Sequence, residues 1–237
     1  MLMAASEIRQ MTRDADLSTH GVDNDVENVR AVAREISQFT PEPHDGVIFD
    51  EQVGAEIMRE DAEYQGVRCN LVARLGRAKI PVALDFSFGD PDRSTSVELR
   101  SLLDRAPVRL KAYPLALNLA EKIVTAMQRR EVSTRDRDFA DLWVTSRLHR
   151  ISAKELRAHI TDVAAHRNQA LMPLSAALEH MPDRQQPYEA MVERMAYLHP
   201  PPELFVDVLS GVIEFVDPLL DTTQDLTHWN PRALRWQ

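Results

Sequence analysis

The amino-acid sequence predicts an α+β protein in which a strand-rich first part is followed by a run of helices. Apolar residues alternate with polar ones between Val47 and Gly89 and recur at helical spacing from Leu115 onward. The period changes across a polar segment, residues 91–108, that carries Pro91 and Pro107. The expected division is an α+β lobe over residues 1–105 and a helical lobe over residues 106–237.

The elements follow in order. If Thr12-Arg13-Asp14-Ala15-Asp16-Leu17 is a strand, Asp14 and Asp16 project from one face and Ala15 and Leu17 from the other. Asp23, Asn24 and Asp25 precede Val26, Val29, Val32 and Ile36, the pattern of a capped amphipathic helix ending near Phe39, before Pro41 and Pro43. Val47-Ile48-Phe49 is a short apolar run. Residues 55–60 and 67–75 read as strands joined by a turn at 63–66; in the second, Val67, Cys69, Leu71 and Ala73 alternate with Arg68, Asn70, Val72 and Arg74. Residues 81–89 are the clearest strand. Val82, Leu84, Phe86 and Phe88 belong to one face, and Ala83, Asp85, Ser87 and Gly89 to the other. Leu115, Leu119, Ala120, Ile123, Val124 and Met127 form one helical stripe, and 139–148, 153–165, 188–198 and 204–215 read as further helices.

Composition narrows the function classes. Of 237 residues, 44% are hydrophobic, enough to build a core. The net charge of −9 argues against a generic nucleic-acid binder, since phosphate neutralisation needs clustered Lys and Arg. An RNA-binding surface would have to draw on Arg9, Arg13, Arg68, Arg74, Arg77, Lys79, Arg135 and Arg137. The single cysteine, Cys69, leaves no internal disulfide and fits a reducing compartment. No apolar run approaches the roughly 20 residues of a membrane span, and the opening residues are too short and too soon charged for a secretory signal. A cytoplasmic protein without a membrane partner is expected. His159 and His166 lie seven apart, but no acid or cysteine completes a site, so no zinc is expected.

Four groups of residues carry chemistry. Asp14 and Asp16, on one strand face, suit a divalent cation with substrate phosphates in its shell; the plainer reading is a pair of solvated turn carboxylates. Asp85 lies mid-strand among the small residues Ala83, Ser87 and Gly89, where it holds a metal or else sits on the solvated face of an edge strand. Lys122 lies on the polar flank of its helical stripe, either solvent-exposed or binding phosphate as a point charge. Ser133 with Asp136 fits a capping pattern, and Asp138 and Asp141 then fall one turn apart in the first turns of a helix.

Taken in order, these segments resemble the AbiEii-type nucleotidyltransferase toxin family, including its MenT branch. The matching stretches are Thr12–Leu17, then Tyr64-Gln65-Gly66-Val67-Arg68, then Leu84-Asp85-Phe86-Ser87-Phe88-Gly89-Asp90. They continue with Tyr113-Pro114-Leu115, Ala120-Glu121-Lys122, and the run from Thr134 through Arg137-Asp138 to Leu142. The resemblance implies a DNA polymerase β-like nucleotidyltransferase lobe followed by a helical lobe. It implies that Asp14, Asp16 and Asp85 bind the metal, Mg²⁺ or Mn²⁺, and that Lys122 and Asp138 join them as catalytic residues. Thr12, Arg13, Lys122 and Arg137 become the expected nucleotide contacts.

The implied function is that of a toxin in a type IV toxin–antitoxin system. It would transfer nucleotides, pyrimidines from CTP or UTP, to the 3′ end of tRNA and block translation, with a cognate antitoxin as partner. Two alternatives stay open: a truncated, inactive protein of the same fold that binds only nucleotide or antitoxin, and a protein-modifying nucleotidyltransferase. The family also places a Gly-Gly or Gly-Ser turn ahead of the first acidic pair, whereas no glycine precedes Gly21 here. Residues 1–5 are expected to form a short helix whose N-terminus lies near Asp14 and Asp16, and an added glycine turn to strengthen nucleotide binding.

Overall fold

The computed structural model describes residues 14–42, 44–58, 66–89, 91–99, 106–130, 135–195 and 197–237. Thr12, Arg13, Ser133 and the expected N-terminal helix lie outside them. The described residues fall into two compact units, the first ending at Arg93 and the second beginning at Ser94.

The first unit is a mixed sheet with one helix on it. Its strands are β1 (Asp14–Ser18), β2 (Val47–Phe49), β3 (Gly54–Met58), β4 (Gly66–Leu75) and β5 (Ala78–Ser87). The order is β1-β5-β4-β2, with β3 also paired to β4. β1 runs parallel to β5, and the other pairs are antiparallel. Gly76, at φ +59°, supplies the left-handed residue of the tight β4–β5 turn. Helix α1 (Val26–Gln38) starts where the sequence indicates: the Asp25 carboxylate accepts from the amides of Glu27 at 2.9 Å and Asn28 at 3.1 Å. Its apolar stripe, Val26, Val29, Val32 and Ala33, covers a sheet face made by Leu17, Val67, Cys69, Leu71, Leu84 and Phe86. The period-two pattern leaves Asp14, Asp16, Arg68 and Asp85 on the opposite face.

The second unit opens with an antiparallel pair, β6 (Thr95–Leu99) and β7 (Val108–Ala112). The polar segment expected to be only a boundary is therefore partly a strand. Its side chains are largely exposed, so no apolar alternation marks it. Among the described residues, five longer helices and a short one follow: α2 (Leu115–Arg129), α3 (Asp136–Leu148), α4 (Ala153–His166), α5 (Leu174–Ala177), α6 (Gln185–Arg194) and α7 (Phe205–Leu220). A small sheet, β8 (Ile151–Ser152), β9 (His228–Asn230) and β10 (Arg235–Trp236), closes on them in the order β10-β9-β8. Trp229 donates from Nε1 to the Ser146 carbonyl at 2.5 Å, and Trp236 donates to that of Phe215 at 2.8 Å. These bonds tie the C-terminal strands to α3 and α7. The unit's core is the joined inner faces of α2, α3, α4 and α7.

Candidate functional site

Two charged clusters stand out, one in each unit. In the first, the parallel register sets Asp16 directly opposite Asp85 and Asp14 opposite Ala83. Parallel partners share a face, so the three carboxylates lie on the face away from α1, with neighbouring strands about 4.8 Å apart. Asp85 is not on an edge: β5 is flanked by β1 and β4, and the residue is only 8% exposed. The edge-strand reading of Asp85 is thereby excluded. A buried carboxylate needs a partner, and Arg68, opposite it on β4, provides one. The guanidinium donates from Nε to Oδ1 at 2.7 Å and from Nη2 to Oδ2 at 2.5 Å. This bidentate bond, with Asp14 and Glu56 adding to the negative field, holds Arg68 more firmly protonated than a free arginine.

In the second cluster, Lys122 of α2 bonds Asp138 and lies 3.2 Å from Oδ2 of Asp141, both on α3. Its side chain is 15% exposed, so the solvent-exposed alternative does not hold. Asp141 is fully buried and also accepts from the Tyr197 hydroxyl at 3.4 Å. Arg135 donates to Asp138 at 3.2 Å, and Arg137 approaches Asp141 at 4.0 Å. Burial pushes the Asp138 carboxyl up, but Lys122 and Arg135 outweigh it and hold the group below its ordinary range. Helix α3 begins at Asp136, whose carboxylate accepts from Arg184 at 2.9 and 2.7 Å, with Arg135 at the N-cap position; Ser133, the other half of the expected cap, lies outside the described residues.

The remaining basic candidates divide. Arg74 and Lys79 are cross-strand partners beside the β4–β5 turn that holds Arg77, and Arg74 pairs with Asp50. Arg68, Arg135 and Arg137 belong to the two clusters above, while Arg9 and Arg13, like Thr12, fall outside the described residues. Sequence reasoning placed Arg68 only among the RNA-binding candidates, noted Asp141 only by its spacing, and gave Tyr197 no role. Asp141 had a signal, that one-turn spacing from Asp138; Arg68 required knowledge of the β4–β5 register, and Tyr197 had none.

An α+β unit with carboxylates aligned on one sheet face, and a following helical unit in which buried acids brace a lysine, make up a protein of nucleotidyltransferase type. The family model described as Nucleotidyl transferase AbiEii toxin, Type IV TA system, matches residues 3–211. The chain belongs to this family. Comparison with curated proteins and with solved structures found no match. Family membership makes the protein a toxin nucleotidyltransferase and implies a cognate antitoxin. Among the described residues, no helix is long and apolar enough to cross a membrane.

The carboxylate face suits a divalent cation in donor type and placement: oxygen ligands from adjacent strands in register. Among the described residues, however, no three His, Cys, Asp or Glu side chains stand as a ready metal-binding group. Both oxygens of Asp85 are turned to Arg68. A cation at Asp85 would therefore compete with Arg68 for that carboxylate.

Proposed function

We propose that the protein transfers a nucleotide from a nucleoside triphosphate to the 3′ end of an RNA, with tRNA as acceptor and CTP or UTP as donor, as a MenT-like toxin that blocks translation in the cytoplasm. The observation that carries this reading is the placement of Asp14, Asp16 and Asp85 on one face, with Asp16 and Asp85 in direct register, inside the family-matched segment. Asp14, Asp16 and Asp85 would hold Mg²⁺ or Mn²⁺. The ion supplies charge stabilisation for displacement at the α-phosphate. The RNA hydroxyl attacks the α-phosphorus, a phosphodiester forms and pyrophosphate leaves. The hydroxyl proton passes to a carboxylate, for which the exposed Asp16 is suited.

Lys122 would meet the triphosphate. An ammonium has three donors; two are directed at Asp138 and Asp141, which fixes the orientation of the third. Asp138 acts by holding that lysine. Arg137, half-buried beside Asp141, is a further phosphate contact in this reading, as are Thr12 and Arg13 ahead of Asp14.

The test is transfer of label from each of the four α-labelled nucleoside triphosphates, with Mg²⁺ or Mn²⁺, to tRNA or to cell protein. Pyrimidine label at the tRNA 3′ end, lost in Asp85→Asn, is the expected result. Label on protein would replace the acceptor, and label on neither would leave a binding protein of the same fold.

A further inference from the structure

The sheet face carries a row of charges that crosses four strands in register. Asp16 on β1 lies opposite Asp85 on β5, Asp85 opposite Arg68 on β4, and Arg68 opposite Glu56 on β3. Partnered residues share a face, so one permanent cation stands between a carboxylate on either side. It currently spends both arms on Asp85, at 2.7 and 2.5 Å. Those are the oxygens a hard divalent cation would take at about 2.0–2.1 Å. Guanidinium and metal ion compete for them, because like charges drawn to one carboxylate in a partly buried site repel each other.

Glu56 is the alternative partner. It is exposed, it accepts a single long side-chain bond among the described residues, from Asn70 at 3.4 Å, and its charge already acts on Arg68. Arg68 is 39% exposed at its side chain and so has room to move, whereas Asp85 is held in the sheet interior.

We propose that Arg68 is a positioning residue that alternates between two carboxylates: it covers Asp85 in the metal-free protein and moves to Glu56 when a divalent cation takes Asp85. The inference rests on the metal-binding reading of Asp85 given above. In the metal-free state Arg68 spares the fold an uncompensated buried charge. It also sets the cation concentration at which the site fills, and Glu56 lowers that threshold by receiving the displaced guanidinium.

The experiment is titration of the full chain with Mn²⁺ alone, followed by electron paramagnetic resonance of the free ion. Arg68→Met, which keeps an unbranched apolar stem and removes the charge, should bind Mn²⁺ about tenfold more tightly, equivalent to about 1.4 kcal/mol. Glu56→Gln should bind it about threefold more weakly, and Arg68→Met/Glu56→Gln should match Arg68→Met, since Glu56 acts only through Arg68. Unchanged or weaker binding in a folded Arg68→Met overturns the proposal, as does a Glu56 effect that persists without Arg68. If Arg68→Met fails to fold, unchanged affinity in Glu56→Gln overturns it. Asp85→Asn separates the two levels. Binding lost there but insensitive to Arg68→Met sinks only the alternation. Binding that survives Asp85→Asn, or is absent from every variant including the original chain, sinks the metal-site reading and the alternation with it.

Discussion

Asp141 has no exposure to solvent, yet it faces Lys122 at 3.2 Å, Tyr197 at 3.4 Å and Arg137 at 4.0 Å. Removing one member of a buried ion pair leaves the other uncompensated, which costs about 3–5 kcal/mol. Asp141→Ala should therefore lower the unfolding free energy by about 3 kcal/mol in urea denaturation; a change below about 1 kcal/mol would mean that the pair breaks even with solvation. Asp138 acts differently because its carboxyl titrates lower in the folded chain than when unfolded: burial opposes the charge, and Lys122 and Arg135 override burial. Its contribution is complete above the unfolded value of about 3.9 and is lost as pH falls through the lower folded value. The stability gap between the original chain and Asp138→Asn, about 2 kcal/mol for a charge-assisted bond, should hold from pH 5 to 8 and close below about pH 4. A gap that instead widens in acid contradicts this ion-pair assignment. Strand parity in the sequence was enough to put Asp85 on the face away from the core and to require a partner for it. It could not name Arg68, because parity fixes a face and only register fixes a neighbour. For a related reason the sequence left the exposure of Lys122 open: the helical stripe locates it on a polar flank, but the acids that bury it come from the next helix.

At the level of elements, legibility followed amphipathicity. α1, β4 and α2 each bury one face, so their periods show plainly and their ends fall close to expectation, whereas β5 begins at Ala78, ahead of the expected 81, because its first four residues are exposed and carry no burial pattern. β6 and β7 bury almost nothing, and β9 and β10 are three and two residues long, too short for any period. The C-terminal strands are fixed by aromatic packing instead: Trp236 stacks on Phe215 at 5.5 Å with 14° between ring planes, and Trp229 meets the same ring edge-on at 5.0 Å. The α3–α7 contact depends on Gly211. A Cβ there would stand 2.6 Å from Nη2 of Arg147 and 2.9 Å from Nε1 of Trp143. The Arg147 guanidinium lies over the Trp143 ring at 4.0 Å from its centroid, so neither group yields without disturbing the other. Gly211→Ala should destabilise by about 2 kcal/mol through overpacking, despite the better helix propensity of alanine. A melting temperature equal to or above that of the original chain would show that the helices separate at little cost.

Across the whole molecule the two units differ in how much core they own. The first rests on seven buried apolar residues between α1 and the sheet, whereas twenty-eight form the main cluster of the second, among the described residues. Since stability scales with buried apolar surface, the first unit should open at lower free energy. Heating or urea should then give two transitions, and amide exchange should be faster in β1, β4 and β5 than in α2, α3 and α7. This makes the carboxylate face a reporter of its own occupancy. A ligand that binds only the folded first unit raises its stability by RT ln(1 + [L]/Kd), about 2.7 kcal/mol at a hundredfold excess over Kd. Mn²⁺ should therefore raise the lower transition and leave the upper one in place. Asp85→Asn, which keeps the shape of the side chain and removes its charge, should abolish that rise. If the upper transition moves instead, the cation is held in the helical unit, where Asp138 and Asp141 are the acids to examine next. If a single transition is seen with every probe, the small core does not open alone and the exchange rates of β1, β4 and β5 should match those of the helices.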